Sequence, residues 1–402
     1  MPILTNISVL AACRDEGAQS EIHQIEDARL VWVRDKIAWV GRRGDMPSDY
    51  SEEHEIDVRG AVVAPGLVDC HTHLAFGGWR ADEFELRSKG VDYLEIARRG
   101  GGIRSTVRAT RESDSPVLIS RCTRFLREMA RLGTTTVECK SGYGLSLEHE
   151  LKILNVYRAV AERQPVNIVS TLLAAHVVPE EFEYAPDDYV QLIVDQIIPR
   201  AASLAKFCDV FVEEGAFDDD QARTILEAGL RHGLRPKLHV DQLSDSGGAL
   251  LAAEVGAISA DHLEYASPVG IEAMRNVGVI AVSLPFATLY LKQKPMDGRR
   301  FVDAGVSVAV ATDFNPGSAP TYHLPLAMTL ACTMNGLTPK EALKGATIIG
   351  ARAIGMDAEV GSLEAGKRAD FIVVDAEDIN HWLYHFRPSA VRQTFVGGRP
   401  VA

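Results

Sequence analysis

The sequence predicts an α/β fold: a (β/α)8 barrel of the TIM type, with a small β-sandwich domain formed from both termini. Three observations carry this. A rhythm of helical stretch, Gly and β-branched run recurs through the middle of the chain. Eight such runs alternate with segments of helical apolar spacing, the signature of a parallel barrel. The two ends lack that rhythm and read as strands and turns.

Taken in order, residues 1–58 hold strand-and-turn text such as ARLVWVRDKIAWVG. The first barrel strand is VVAPGLVDC at 62–70, and the second, TTTVEC, follows Gly133. VNIVSTLLAA at 166–175 and DVFVEE at 209–214 are the third and fourth. LRPKLHV after Gly233, AISADHL after Gly256, VIAVSLP after Gly278 and VSVAVATD after Gly305 complete the eight. Gly just past a helix end supplies the left-handed cap conformation. Continuous apolar runs suit strands buried on both faces. Between strands, LEHELKILNVYRAVAER has helical spacing. Thr338-Pro339-Lys340-Glu341 reads as a capping box that opens a last helix. Residues 356–402 return to strand text with ADFIVVDAED. The expected division is therefore a composite β domain of 1–58 and 356–402 packed closely on a barrel of 59–355.

A chain of 402 residues with 46% hydrophobic and 24% charged residues buries a large core without staples. Its 42 basic and 55 acidic side chains leave a formal charge of −13. That balance argues against nucleic acid or anionic membrane as partner, since both select basic surfaces. A small anionic ligand needs only a local basic cluster and stays open. The six cysteines form no C-x-x-C pair, so neither a disulfide framework nor a structural zinc motif is indicated. The N-terminus lacks a basic n-region, and no apolar run approaches the length of about 18 residues that spans a membrane. A cytoplasmic location is the default, and a homodimer is the expected assembly.

Active sites of such barrels lie at the carboxyl ends of the strands. The first strand ends in Asp69-Cys70-His71-Thr72-His73, the third in His176, the fifth in His239 and the sixth in Asp261-His262. The eighth ends in Asp313-Phe314-Asn315-Pro316-Gly317. Five of the 12 histidines thus fall on one rim. His71 and His73 share one side of a strand, because strand side chains alternate. Alone, an H-x-H pair is weak evidence. Joined to His239 and Asp313 it reads as a site for one divalent metal, zinc or iron, with room left for a water. His262 either is a core histidine held by Asp261 or Glu264, or activates that water or polarises a substrate carbonyl. His176 has the same two readings. The fourth strand carries Glu213-Glu214 and no lysine, so a carbamylated lysine bridging two metals is not available there. Gln242 stands where a zinc deaminase needs a carboxyl to shuttle protons.

The stretch from 80 to 111 holds eight basic residues, with Gly100-Gly101-Gly102 and Tyr93 among them. Most of these charges read as a solvated face. Arg80 lies directly after the H-x-H strand and can offer a planar guanidinium to a substrate carboxylate. The triple Gly follows a helical pattern and is not a dinucleotide fingerprint. Lys140-Ser141-Gly142-Tyr143-Gly144 reads as a loop carrying Tyr143 towards the same pocket.

These residues resemble a known family. Pro65-Gly66-Leu67-Val68-Asp69-Cys70-His71-Thr72-His73 is similar to the metal-binding opening of the amidohydrolase superfamily. Residues 361–370, GSLEAGKRAD, resemble its return strand. Within it, EIARRGGGIRSTVRATRE (95–112), TTVECKSGYGLSLEHELK (135–152), the stretch 237–265 and ATDFNPGSAP (311–320) resemble the imidazolonepropionase family. The resemblance implies hydrolysis of 4-imidazolone-5-propanoate to N-formimino-L-glutamate, in histidine degradation. It implies His71, His73, His239 and Asp313 as ligands of a single zinc or iron. It implies Arg80, Tyr93, Tyr143, His176 and Gln242 as substrate contacts, with Asn315, Gly317 and Ser318 on a loop touching substrate or product. His262 matches the histidine beside the metal water, and Gln242 falls where some members have Glu. His262 or Asp313 is then the proton acceptor, and Gln242 a partner of the ring. Arg80 with Tyr143 holds the propanoate tail. A deaminase is disfavoured by Gln242, and a scaffold without chemistry by the intact ligands and His262.

Overall fold

The computed structural model describes residues 1–50, 54–91 and 101–402. The chain opens with β1 (Ile3–Ala11), β2 (Gln24–Val33), β3 (Lys36–Arg42) and β4 (Glu55–Pro65). The barrel strands follow: β5 (Leu67–Asp69), β6 (Thr134–Lys140), β7 (Asn167–Ala175), β8 (Phe207–Val212), β9 (Arg235–Val240), β10 (Ser259–His262), β11 (Ile280–Ser283) and β12 (Val308–Val310). The last three, β13 (Phe371–Val374), β14 (Val391–Val396) and β15 (Arg399–Pro400), return to the first sheet.

All eight expected barrel strands form, in sequential parallel order from β5 to β12. The ring closes where β5 and β12 run on into their loops. There the Asp313 amide donates to the His71 carbonyl at 3.1 Å, and the His73 amide donates to the Phe314 carbonyl at 2.9 Å. This closure places an imidazole strand and a carboxylate strand side by side.

The small sheet orders β15-β14-β13-β4-β1-β2-β3 and is mixed, with β1 and β4 parallel. One face carries Val9, Ala11, Val62, Ala64, Ile372 and Val374 into the barrel's core. The other builds a core of its own from Leu4, Leu10, Trp32, Val63, Phe371 and Phe395. Alternation in each strand serves both cores, which explains the close packing.

Two details depart from the sequence reading. The run VVAPGLVDC is shared: 62–65 pair with β1 and β13 of the small sheet, and only 67–69 join the barrel. Gly66 makes the crossing, and a Cβ there would stand 2.2 Å from Thr135 Oγ1. The division drawn at 58/59 therefore cuts through β4. The C-terminal stretch also contains a helix, Ile379–Tyr384, whose N-terminus is capped by the Asp378 side chain. Six residues are too few to show helical periodicity. The capping box at Thr338 and Glu341 forms as read, opening the helix Pro339–Lys344.

Candidate active site

His71 and His73, just past β5, turn their Nε2 atoms to within 3.3 Å of each other. Asp313 Oδ1 lies 3.5 Å from both. His239 from β9 completes a trio with them whose donor atoms all fall within 4.8 Å. Asp313 sits at φ 55°, a left-handed conformation uncommon for a residue with a side chain. Such strain is kept where the surrounding structure over-determines it, commonly at functional sites.

The orientation of these rings is set from below. His71 Nδ1 faces Asp261 Oδ2 at 2.7 Å, and His239 Nδ1 faces Asp209 Oδ1 at 3.1 Å. An Nδ1–H donated to a carboxylate leaves the lone pair on Nε2, as a metal ligand requires. Both carboxylates meet one ammonium. Lys140 Nζ is 2.6 Å from Asp209 Oδ2 and 3.3 Å from Asp261 Oδ2. Glu138 joins Lys140 at 3.2 Å and Lys237 at 2.7 Å, so two lysines and three carboxylates form a fully buried layer. Burial works against the Lys140 charge, but Asp209, Glu138 and Asp261 outweigh it and hold the ammonium protonated. The same cations hold the Asp261 carboxyl well below its usual range, against the opposing effect of burial. Asp209, His239 and Asp261 also converge as a second donor trio, and the Lys140 ammonium lies against both its carboxylates.

The residues fit a divalent cation. His239 Nε2 is buried and has no hydrogen-bond partner, which is costly unless the lone pair meets an ion. Burial keeps the His239 ring well below the ordinary imidazole range and lowers His73 too, so both donors are neutral.

The sequence-predicted residues converge. His73, Arg80, Tyr143, His176, His239, Gln242, His262, Asp313, Asn315 and Ser318 line one cavity, with Ile103 and Phe211. Gly317 lines the wider mouth above it. Tyr93 lies outside the described residues. Arg80 donates from Nε and Nη2 to Glu83 Oε2 at 2.9 and 2.7 Å. Its Nη1 edge lies against Gly317, where a Cβ would approach to 2.1 Å. His176 lies against Gly142, its Nδ1 3.1 Å from the carbonyl oxygen, and stacks on His73 with centroids 5.0 Å apart. Burial brings its pKa down to about 3, so the ring stays neutral. Burial pushes the Tyr143 phenol up, so it remains a donor.

Asn315 lines the cavity and also orders its own loop. Its Oδ1 accepts from the Gly317 and Ser318 amides, each at 2.8 Å, and its Nδ2 donates to the Asp313 carbonyl at 2.7 Å. The amide thus shapes the loop that carries Asp313. Arg98 and Arg99 lie outside the described residues, and among the described ones the wider basic run is largely committed elsewhere. Arg104 and Arg108 pair with Glu180 and Glu183, Arg111 with Glu181, and Lys89 with Glu85. Arg80 and Arg87 remain at the mouth, both held by Glu83. His262 is held by neither expected partner at hydrogen-bond distance: Asp261 is taken by His71, and Glu264 stands 3.8 Å away.

Strand-end histidines with an aspartate, closed over a parallel barrel, define a metal-dependent amidohydrolase, and the Amidohydrolase family model matches residues 62–401. Imidazolonepropionase of Geobacillus kaustophilus is 49% identical over 379 residues, covering 94% of this chain and 89% of the relative. That of Bacteroides fragilis is 44% identical over 393 residues, covering 96% and 94%. The chain belongs to the imidazolonepropionase family of amidohydrolases. Among solved structures, guanine deaminase of E. coli superposes with TM-score 0.74 at 16% identity, covering 100% of this chain and 99% of the other. Atrazine chlorohydrolase of Arthrobacter aurescens, complexed with zinc, gives 0.72 at 17%, covering 100% and 95%. These likenesses show the fold.

Proposed function

We propose that this protein hydrolyses the cyclic amide bond of 4-imidazolone-5-propanoate to N-formimino-L-glutamate. The observation that carries the reading is one cavity uniting His73, His239, Asp313, His262 and the Arg80 edge, with His71 clustered against the first two. The family membership supplies the substrate class. His71, His73, His239 and Asp313 would hold one divalent ion, and three imidazoles with a carboxylate suit zinc or iron. When bound, the ion supplies Lewis acidity, making water more acidic and polarising a carbonyl.

The remaining chemistry belongs to the side chains. Arg80, with two of its donors fixed on Glu83, offers its Nη1 edge to the propanoate carboxylate. Tyr143 adds a phenolic donor, and neutral His176 an acceptor for a ring N–H. Water adds to the ring carbonyl carbon as its proton passes to His262 or Asp313. His262 donates to the developing oxyanion in the protonated state. The C–N bond then breaks, the leaving nitrogen takes the proton, and the new carboxylic acid ionises. Gln242 lines the same wall and hydrogen-bonds the ring without delivering protons. A chromatographic assay of product from synthetic substrate tests the reading: N-formimino-L-glutamate supports it, and released ammonia would indicate a deaminase instead.

A further inference from the structure

The neighbourhood of His262 contains an anomaly. Glu264 is 4% exposed, and neither carboxylate oxygen has a hydrogen-bond partner. His262 Nδ1 is also buried and without one. The two face each other, with Nδ1 3.8 Å from Glu264 Oε1. Unpaired buried carboxylate oxygens are expensive, and a native fold keeps few of them. The backbone between them is strained as well: His262 has φ 82° and Leu263 φ 67°. For a bulky residue such as Leu this region is a genuine outlier. Two backbone bonds to the neighbouring strand end hold the turn, Leu263 amide to Val240 carbonyl at 3.1 Å and Tyr265 amide to Asp241 carbonyl at 2.9 Å. The turn therefore aims His262 at the ligand cluster, with its ring centroid 5.6 Å from that of His239, and sets Glu264 behind it.

We infer that Glu264 is a positioning residue for His262. It accepts the Nδ1–H of the ring, fixes its tautomer, and leaves Nε2 for the reacting centre. Hydrogen bonds between working groups are commonly long before substrate binds and tighten in the complex. A short rotation of the ring converts the 3.8 Å approach into such a bond. The arrangement parallels what Asp261 and Asp209 do for the ligand rings, with the difference that this pair serves a histidine bound to no ion. Carboxylates that orient a working imidazole are worth about 10- to 100-fold in activity or affinity.

This inference rests on the proposed role of His262, so the test separates the two. Wild type, Glu264→Gln, Glu264→Leu, His262→Ala and the double variant His262→Ala/Glu264→Leu are compared for kcat, KM, metal content and melting temperature. Turnover by wild type with loss in His262→Ala establishes the role of His262 independently of Glu264. The inference then expects Glu264→Leu to lose about 100-fold in kcat, with KM and metal content unchanged. Glu264→Gln, whose amide oxygen can still accept from Nδ1–H, should lose about tenfold or less. In the His262→Ala background Glu264→Leu should cost nothing further. An equal loss in that background, an unchanged kcat, or a loss that follows metal content would overturn it.

Discussion

Lys140 Nζ donates to Asp209 Oδ2 at 2.6 Å, and neither residue is exposed. Through Asp209 and Asp261 this one ammonium stands behind two of the proposed ligand rings, those of His239 and His71. The proposed metal site is thus tied to a charge layer inside the barrel. Asp261→Asn removes the carboxylate that fixes the His71 tautomer and should weaken metal binding about 10- to 100-fold, read by competition with a chelator. Lys140→Met should weaken it too, and should also cost about 3–5 kcal/mol in unfolding free energy by stranding two buried carboxylates. Unchanged affinity in Asp261→Asn would detach the layer from the metal.

His262 stands near the proposed ligand rings, its centroid 5.9 Å from that of His71 and 5.6 Å from that of His239. His262→Ala should keep its metal and lower kcat by about 10²- to 10⁴-fold, the usual worth of general acid–base help. Metal content by elemental analysis and kcat on the same preparation decide it. Near-normal turnover removes the residue from the mechanism.

Arg80 and Gly317 share one contact. A Cβ at Gly317 would press to 2.1 Å of the Arg80 Nη1 atom. Gly317→Ala should therefore displace the guanidinium and raise KM by about tenfold, and Arg80→Ala should raise it by more, with smaller changes in kcat. A KM left unchanged in both variants contradicts the carboxylate clamp.

Glu150 builds the loop that carries Tyr143. Its buried carboxylate accepts from the Gly142, Gly144 and Leu145 amides at 3.1, 2.8 and 2.8 Å. Glu150→Ala leaves three buried amides unpaired and should cost at least about 3 kcal/mol in denaturant unfolding. A cost below about 1 kcal/mol would show that the loop finds other partners.

The barrel and the clustering of the proposed ligands were legible because both follow period and position. Gly-terminated helices and continuous apolar runs marked the eight strands, and strand ends marked His71, His73, His239 and Asp313. The charge layer was missed. Lys140 reads as the start of a loop, yet it is the last residue of β6, pointing inward two positions after Glu138. Its partners come from other strands, and His71 finds Asp261 across 190 residues of chain. Period-two charges inside apolar strands, Glu138 with Lys140 and Lys237 with His239, were the available signal. Glu83 escaped for a related reason: its spacing to Arg80 and Arg87 was visible, but only the fold shows that both arginines reach the mouth.

The most direct measurement is the ultraviolet loss of freshly prepared 4-imidazolone-5-propanoate, with purified protein before and after chelation. Rapid loss is expected, with N-formimino-L-glutamate as product, abolished by metal removal and restored by adding back a divalent ion. No loss above the spontaneous rate with metal-loaded protein would contradict it.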